Sequence, residues 1–203
     1  IIHYFHILYF SIIPKFFPFY KYKKLGHNVY MKTQNIIIVK PQGYCGGVLK
    51  AIETAKKTRI QYPDQKITIL GNLVHNQYVK KALQYYSIDT IEDKTKTRVE
   101  LLDEIHEGIV IFTAHGVSPK VYEKAKEKGL ILVDASCPFV LQTQKIVKQY
   151  LDEEYTILYI GKNKHPEAES IYTMSEHVHL IEPHKEIPKV NTSKTVSYTH
   201  LTL

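Results

Sequence analysis

Short apolar runs recur along this chain, and each is followed by a polar or glycine-bearing loop and then by an amphipathic stretch. Ile36–Val39, Ile67–Leu70, Ile109–Phe112, Leu130–Val133 and Tyr155–Ile160 have the length and β-branched content of buried strands. Val178–Ile181 reads as another strand, and Lys194–Tyr198 as a candidate for one more. Val48, Ala51, Ile52 and Ala55 follow the i, i+3, i+4, i+7 stripe of a half-buried helix. Further helices are predicted over His75–Tyr85, Val99–Ile105 and Ser118–Lys128, the last closing at Gly129 as a C′ glycine. Residues 88–98 are mixed, a weak strand followed by a polar loop. Pro138 stands where proline favours a helix start, and Val140, Val147 and Leu151 share a face of the helix after it. Strands alternating with helices predict an α/β fold of three-layer βα units, with mostly parallel sheets and right-handed crossovers.

The position of the chemistry-bearing residues adds to this picture. Cys45, His75, His115, Cys137 and the pair His165 and Glu167 each follow one of the apolar runs. In open α/β sheets, ligands bind in the crevice outside the carboxyl ends of the strands. Five such loops in succession predict one site assembled from many loops.

Charge and cysteine content narrow the function classes. The net charge is +7, but residues 1–30 hold four lysines and no acid, leaving +3 for the rest. That is too little to argue for a nucleic-acid partner. Two cysteines in 203 residues do not make a disulfide-stapled secreted domain, and they suit a reducing, cytoplasmic setting. Residues 1–30 are rich in Ile, Phe, Tyr, Lys and His and precede the first methionine, Met31. They read as extraneous translated upstream sequence, with a weak membrane-surface anchor as the alternative. Their apolar run is shorter than the roughly 20 residues of a membrane-spanning helix, so no membrane is expected.

Each loop carries a functional and a bland reading. In Pro41-Gln42-Gly43-Tyr44-Cys45-Gly46-Gly47-Val48, a cysteine opens a helix, where the dipole and free N–H groups favour a thiolate nucleophile or metal ligand. The bland reading is a buried cysteine in a glycine-rich turn. Asp134-Ala135-Ser136-Cys137-Pro138 repeats the arrangement, with a core cysteine as its bland reading. His75 in Val74-His75-Asn76 and His115 in Ala114-His115-Gly116-Val117-Ser118 sit beside helix starts and suit an anion such as phosphate; each could equally be a capping or surface histidine. In His165-Pro166-Glu167-Ala168-Glu169, Glu167 can donate a proton to a bound substrate, whereas Glu169 is accounted for as a first-turn helix carboxylate.

Taken together and in order, the segments around Cys45, His75, His115, Cys137 and Glu167 resemble the LytB-type (IspH) 4-hydroxy-3-methylbut-2-enyl diphosphate reductases, over about Ile36 to Glu169. The resemblance implies a three-lobed α/β trefoil around a [4Fe–4S] cluster held by three cysteines. Cys45 and Cys137 would be two of these ligands, and the third cysteine is absent from this chain. His75, His115 and His165 would hold the substrate's diphosphate, and Glu167 would deliver the proton that lets hydroxide leave as water. The implied reaction is the reductive dehydration of an allylic diphosphate to isopentenyl and dimethylallyl diphosphate, in the non-mevalonate pathway. Electrons would come from a ferredoxin- or flavodoxin-like donor.

On this resemblance, residues 31–137 make the first α/β lobe and residues 138–203 an incomplete second lobe, with a foreign junction after about Val196. The chain alone is expected to be inactive. Ser170 stands where the family usually has glycine, which would alter the turn after it. Thr202 aligns poorly with a family threonine that lines the site. Two other readings stay open: a zinc-dependent hydrolase using Cys45, Cys137 and the histidines, and a redox-inactive diphosphate-binding module.

Overall fold

Ile67, Ile69, Ile109 and Ile111 are wholly buried. That follows from strands covered on both faces, which need no alternation of polar and apolar residues. In the computed structural model, which describes residues 43–190 and 192–199, these isoleucines lie in β1 (Ile67–Leu70) and β3 (Ile109–Phe112). With β2 (Ile88–Ile91) and β4 (Ile131–Asp134) they form a parallel sheet of order β2-β1-β3-β4. A second parallel sheet, of order β6-β5-β7, is built from β5 (Thr156–Ile160), β6 (Val178–Ile181) and β7 (Thr195–Thr199).

Helices cover both faces of the first sheet. On one face, Ala51 and Ala55 of α1 (Gly46–Gln61) and Leu83 of α2 (Gln77–Tyr85) pack on Ile67, Ile69, Ile109 and Ile111. On the other, Leu101 of α3 (Arg98–Leu101), Leu102 and the Val121 and Ala125 side chains of α4 (Pro119–Glu127) pack on Leu70, Val110 and Phe112. In the second sheet, Ile157 and Tyr159 meet Val147 of α5 (Pro138–Asp152) and Ala168 and Ile171 of α6 (Pro166–Tyr172).

Several element ends differ from the sequence reading. The helix expected from His75 starts at Gln77, because the Asn76 side chain accepts the backbone N–H groups of Tyr78 and Val79 and so becomes the N-cap. His75 is thereby left in the loop. The single helix expected over Val99–Ile105 is α3 followed by a 3₁₀ turn at Leu102–Glu104. Its start is set by a capping box in which Thr97 and Glu100 each satisfy the other's backbone N–H. The weak strand of residues 88–98 is a full parallel neighbour of β1. Gly129 adopts φ +69° at the end of α4, as a C′ glycine should.

In β7, Tyr198 stacks nearly parallel on Tyr159, with centroids 6.3 Å apart, and its hydroxyl lies 3.4 Å from that of Thr143 on α5. Ser170 lies within α6, where its hydroxyl donates to the Glu167 carbonyl at 2.7 Å and the helix runs on to Tyr172. The expected strand at Ile36–Val39, the readings of residues 1–30 and the alignment of Thr202 fall outside the described residues. Among those described, no helix is long and apolar enough to cross a membrane.

Candidate functional site

The loops that leave β1, β3 and β4 are sewn to one another by backbone hydrogen bonds. Ala114 N donates to Leu73 O at 3.4 Å, Ala135 N to Phe112 O at 3.1 Å and Cys137 N to Ala114 O at 2.9 Å. The loop bearing His115 is thus tied on one side to the loop bearing His75 and on the other to the loop bearing Cys137. Parallel pairing places all three at the same edge of the sheet.

Three imidazoles meet there. The rings of His75 and His115 are 4.6 Å apart between centroids. His165 stands 5.9 Å from His75 and 6.1 Å from His115. His165 comes from the second sheet, as the residue that caps α6. His115 is oriented from below by the wholly buried Thr113, whose hydroxyl lies 3.3 Å from its Nδ1. Gly116 turns the chain just after it with φ +74°, and a Cβ there would stand 2.8 Å from Val140 Cγ1 of α5. Gln144 of α5 donates to the Val117 carbonyl at 3.0 Å, fixing the same loop. Three N–H-bearing rings in contact can surround a multiply charged anion, each donating one hydrogen bond.

The two cysteines are the N-caps of α1 and α5. Both are free thiols, Cys45 exposed and Cys137 half-buried. They approach one another through Gly47: a Cβ there would lie 2.5 Å from Cys137 Sγ. The sulfur of one cysteine therefore rests against the first turn of the helix that the other begins. Two further bonds hold these loops. Lys50 Nζ donates to the Ser136 carbonyl at 3.1 Å, and Asn76 Nδ2 donates to the Tyr44 hydroxyl at 2.8 Å. The first ties α1 to the Cys137 loop, and the second ties the Cys45 loop to the His75 loop. Among the described residues, no group of three or more His, Cys, Asp or Glu is arranged to hold a metal ion. The paired helix starts bring two thiols of this chain to one place, which is the part of a cluster site that two cysteines can supply.

Glu167 and Glu169 both lie in the first turn of α6 and both are buried. Burial, followed by the nearby Glu167 carboxylate and Tyr198, pushes the Tyr159 phenol well above its usual range. Glu169 Oε1 accepts the backbone N–H of Arg98 at 2.8 Å. Arg98 is itself buried, and that burial depresses its guanidinium pKa against the opposing pull of Glu169 and Glu92. The sequence reading did not single out Thr113, Lys50, Tyr44 or Arg98. Nothing in periodicity or motif marks them, because their roles arise from contacts between loops distant in sequence.

Comparison with known proteins gives a consistent picture. The family model described as LytB protein matches residues 36–203. A 4-hydroxy-3-methylbut-2-enyl diphosphate reductase of Brevibacillus brevis is 42% identical over 154 residues, covering 75% of this chain and 49% of the relative. One from Malacoplasma penetrans is 38% identical over 163 residues, covering 77% and 54%. Among solved structures, the E-1-hydroxy-2-methyl-but-2-enyl-4-diphosphate reductase of Plasmodium falciparum superposes with a TM-score of 0.67 at 32% identity, over 81% of this chain and 50% of that one. The chain thus spans about half the length of the curated relatives it matches.

Proposed function

We infer a reductase activity for the whole protein from the fact that this chain belongs to the LytB protein family. The activity is the reductive dehydration of (E)-4-hydroxy-3-methylbut-2-enyl diphosphate to isopentenyl and dimethylallyl diphosphate, which the names of its relatives support. The observation that carries this reading to the residues is the mutual contact of His75, His115 and His165 beside the loop of Cys137.

In this reading the three imidazoles hold the diphosphate and so orient the allylic end toward the cysteines. Binding energy from the non-reacting diphosphate fixes the position of the reacting carbon. Cys45 and Cys137 would supply two of the thiolates that hold a [4Fe–4S] cluster, which when bound would supply electrons and Lewis acidity for loss of the allylic oxygen. Glu167, on the first turn of the helix that His165 caps, holds the proton for that oxygen. Burial of its side chain keeps bulk water from competing for the transfer. A small ferredoxin- or flavodoxin-like protein is the electron donor, and the protein works in the cytoplasm. The chain by itself, with two cysteines, supplies two of the three thiolates this reading needs, and we expect it to bind substrate without turning it over.

Calorimetric titration of the chain with the allylic diphosphate tests the assignment of the histidines. His75→Asn and His115→Asn are each expected to weaken binding by about tenfold or more, the equivalent of one charge-assisted hydrogen bond. Affinities unchanged by both substitutions would overturn it. Anaerobic loading with iron and sulfide separates the reductase from the redox-inactive module: a brown chromophore that Cys45→Ser removes supports the former, and diphosphate binding with no iron uptake supports the latter.

A further inference from the structure

Beside the histidine cluster lies a cavity of about 510 Å³ that none of the roles above uses. It opens between the loop after β2 and the loop after β5, and His75 and His165 line it together with Lys94, Arg98, Lys162 and Lys164. Lys96 also lines it, but its ammonium is paired with Glu104 at 2.6 Å. The carboxylates on the wall are each engaged by other donors. Glu92 accepts from Asn72 Nδ2 at 2.5 Å, Asp93 from the Thr95 hydroxyl at 2.6 Å and Glu169 from the Arg98 backbone N–H at 2.8 Å. None of the ion pairs among the described residues involves Lys94, Lys162 or Lys164.

Two features mark the cavity as more than a solvated basic surface. Arg98 is 92% buried by exposure (8% remains accessible), with its guanidinium packed against Gly71, and its Nε has no hydrogen-bond partner among the described residues. A buried donor of that strength without an acceptor is costly and calls for one. Lys164 has φ +59°, a conformation that non-glycine residues rarely adopt and that tends to persist at functional sites. It places a lysine directly before His165, at the junction of the cavity and the cluster.

We propose that this cavity is an anion-binding antechamber, in which Lys94, Lys162, Lys164 and Arg98 take one phosphate group of a diphosphate and present the other to the histidine cluster through the shared His75 and His165. The inference rests on the reading of the histidines as diphosphate ligands. The wall carries five cationic side chains, Lys94, Lys96, Arg98, Lys162 and Lys164, against the three carboxylates of Glu92, Asp93 and Glu169, and a cleft with a net positive wall raises the local concentration of an anionic ligand. Unpaired lysines at the mouth do so at long range, while a buried guanidinium holds the group once it has shed water.

The test is calorimetric titration of the chain with inorganic diphosphate at low and at physiological salt. The wild type, the triple variant Lys94→Gln/Lys162→Gln/Lys164→Gln and His115→Asn are compared; His115 does not line the cavity. The three lysines are exposed, so the triple variant should fold, and an unchanged melting curve would verify it. The triple variant is expected to bind about tenfold more weakly or worse at low salt, and to lose most of its salt dependence. Affinity within about twofold of wild type, or no binding by the wild type at millimolar diphosphate, would overturn the inference. If His115→Asn abolishes binding while the triple variant binds as wild type, the histidine reading stands and the antechamber falls. If the triple variant weakens binding and His115→Asn does not, the cavity stands as an anion site and the histidine reading falls.

Discussion

The carboxylate of Glu169 accepts the backbone N–H of Arg98 at 2.8 Å, across 71 residues of sequence. It thereby joins α6, which packs on the second sheet, to α3, which packs on the first. The bond is buried, and removing the acceptor leaves the amide that opens α3 without a partner. Glu169→Ala should therefore destabilise the chain by about 2 kcal/mol, within the range for hydrogen bonds to charged acceptors. Glu169→Gln, which keeps an acceptor oxygen, should cost less than half of that. Urea denaturation of the two variants measures the difference.

Gly47 is the second such joint. A methyl group there would lie 2.5 Å from Cys137 Sγ, whereas one at Gly46 would meet nothing within 4 Å. Gly47→Ala should lower stability by about 1–3 kcal/mol through overpacking and should also reduce iron uptake, since the cysteine itself must shift. Gly46→Ala should do neither. Thermal melts and iron content after anaerobic loading report the two effects separately.

At Gly116 both geometry and space forbid a side chain, with φ +74° and Val140 Cγ1 2.8 Å from a Cβ. Gly116→Ala displaces the residue next to His115 and should weaken diphosphate binding along with stability. Titration calorimetry, at a temperature where the variant is still folded, checks the binding loss.

The capping box before α3 gives the chain a pH dependence at the acid end. The backbone N–H and then the hydroxyl of Thr97 hold the Glu100 carboxyl below its usual range. A group whose folded pKa is depressed stabilises the fold above its unfolded pKa of about 4.3 and loses that contribution as pH falls through the folded value. Melting temperature should decline from about pH 5 downward in the wild type. In Glu100→Gln it should start lower and decline less over the same interval. Parallel pH profiles for the two would contradict the cap's role.

How much of this was legible beforehand follows from the range of the interactions involved. β1 and β3 were readable because strands buried on both faces are written as unbroken runs of Ile, Val, Leu and Phe. The loops bearing Cys45, His75, His115, Cys137 and His165 were readable because glycines, a proline and helix-start residues cluster there. The start of α2 was misread by two residues because Asn76 competes for the helix's first N–H groups through its side chain. Glu169 was legible as a first-turn helix carboxylate and not as the acceptor for Arg98. That partner lies 71 positions away, and no local pattern encodes it. The same holds for Lys50 and Ser136, 86 positions apart. Local chemistry marked the histidines and cysteines that the fold brings together, while the bonds that hold their loops together appear only once the chain is folded.

The central claim is that two sulfurs and three imidazoles from successive loops serve one ligand. The most direct measurement is the visible absorption of the anaerobically iron- and sulfide-loaded chain, with an exogenous thiol supplied for the third position, during titration with 4-hydroxy-3-methylbut-2-enyl diphosphate. The chromophore should change saturably with ligand. Cys45→Ser or Cys137→Ser should abolish the chromophore, and His115→Asn should abolish its response. A spectrum indifferent to the diphosphate, or a chromophore that survives loss of either cysteine, would contradict the claim.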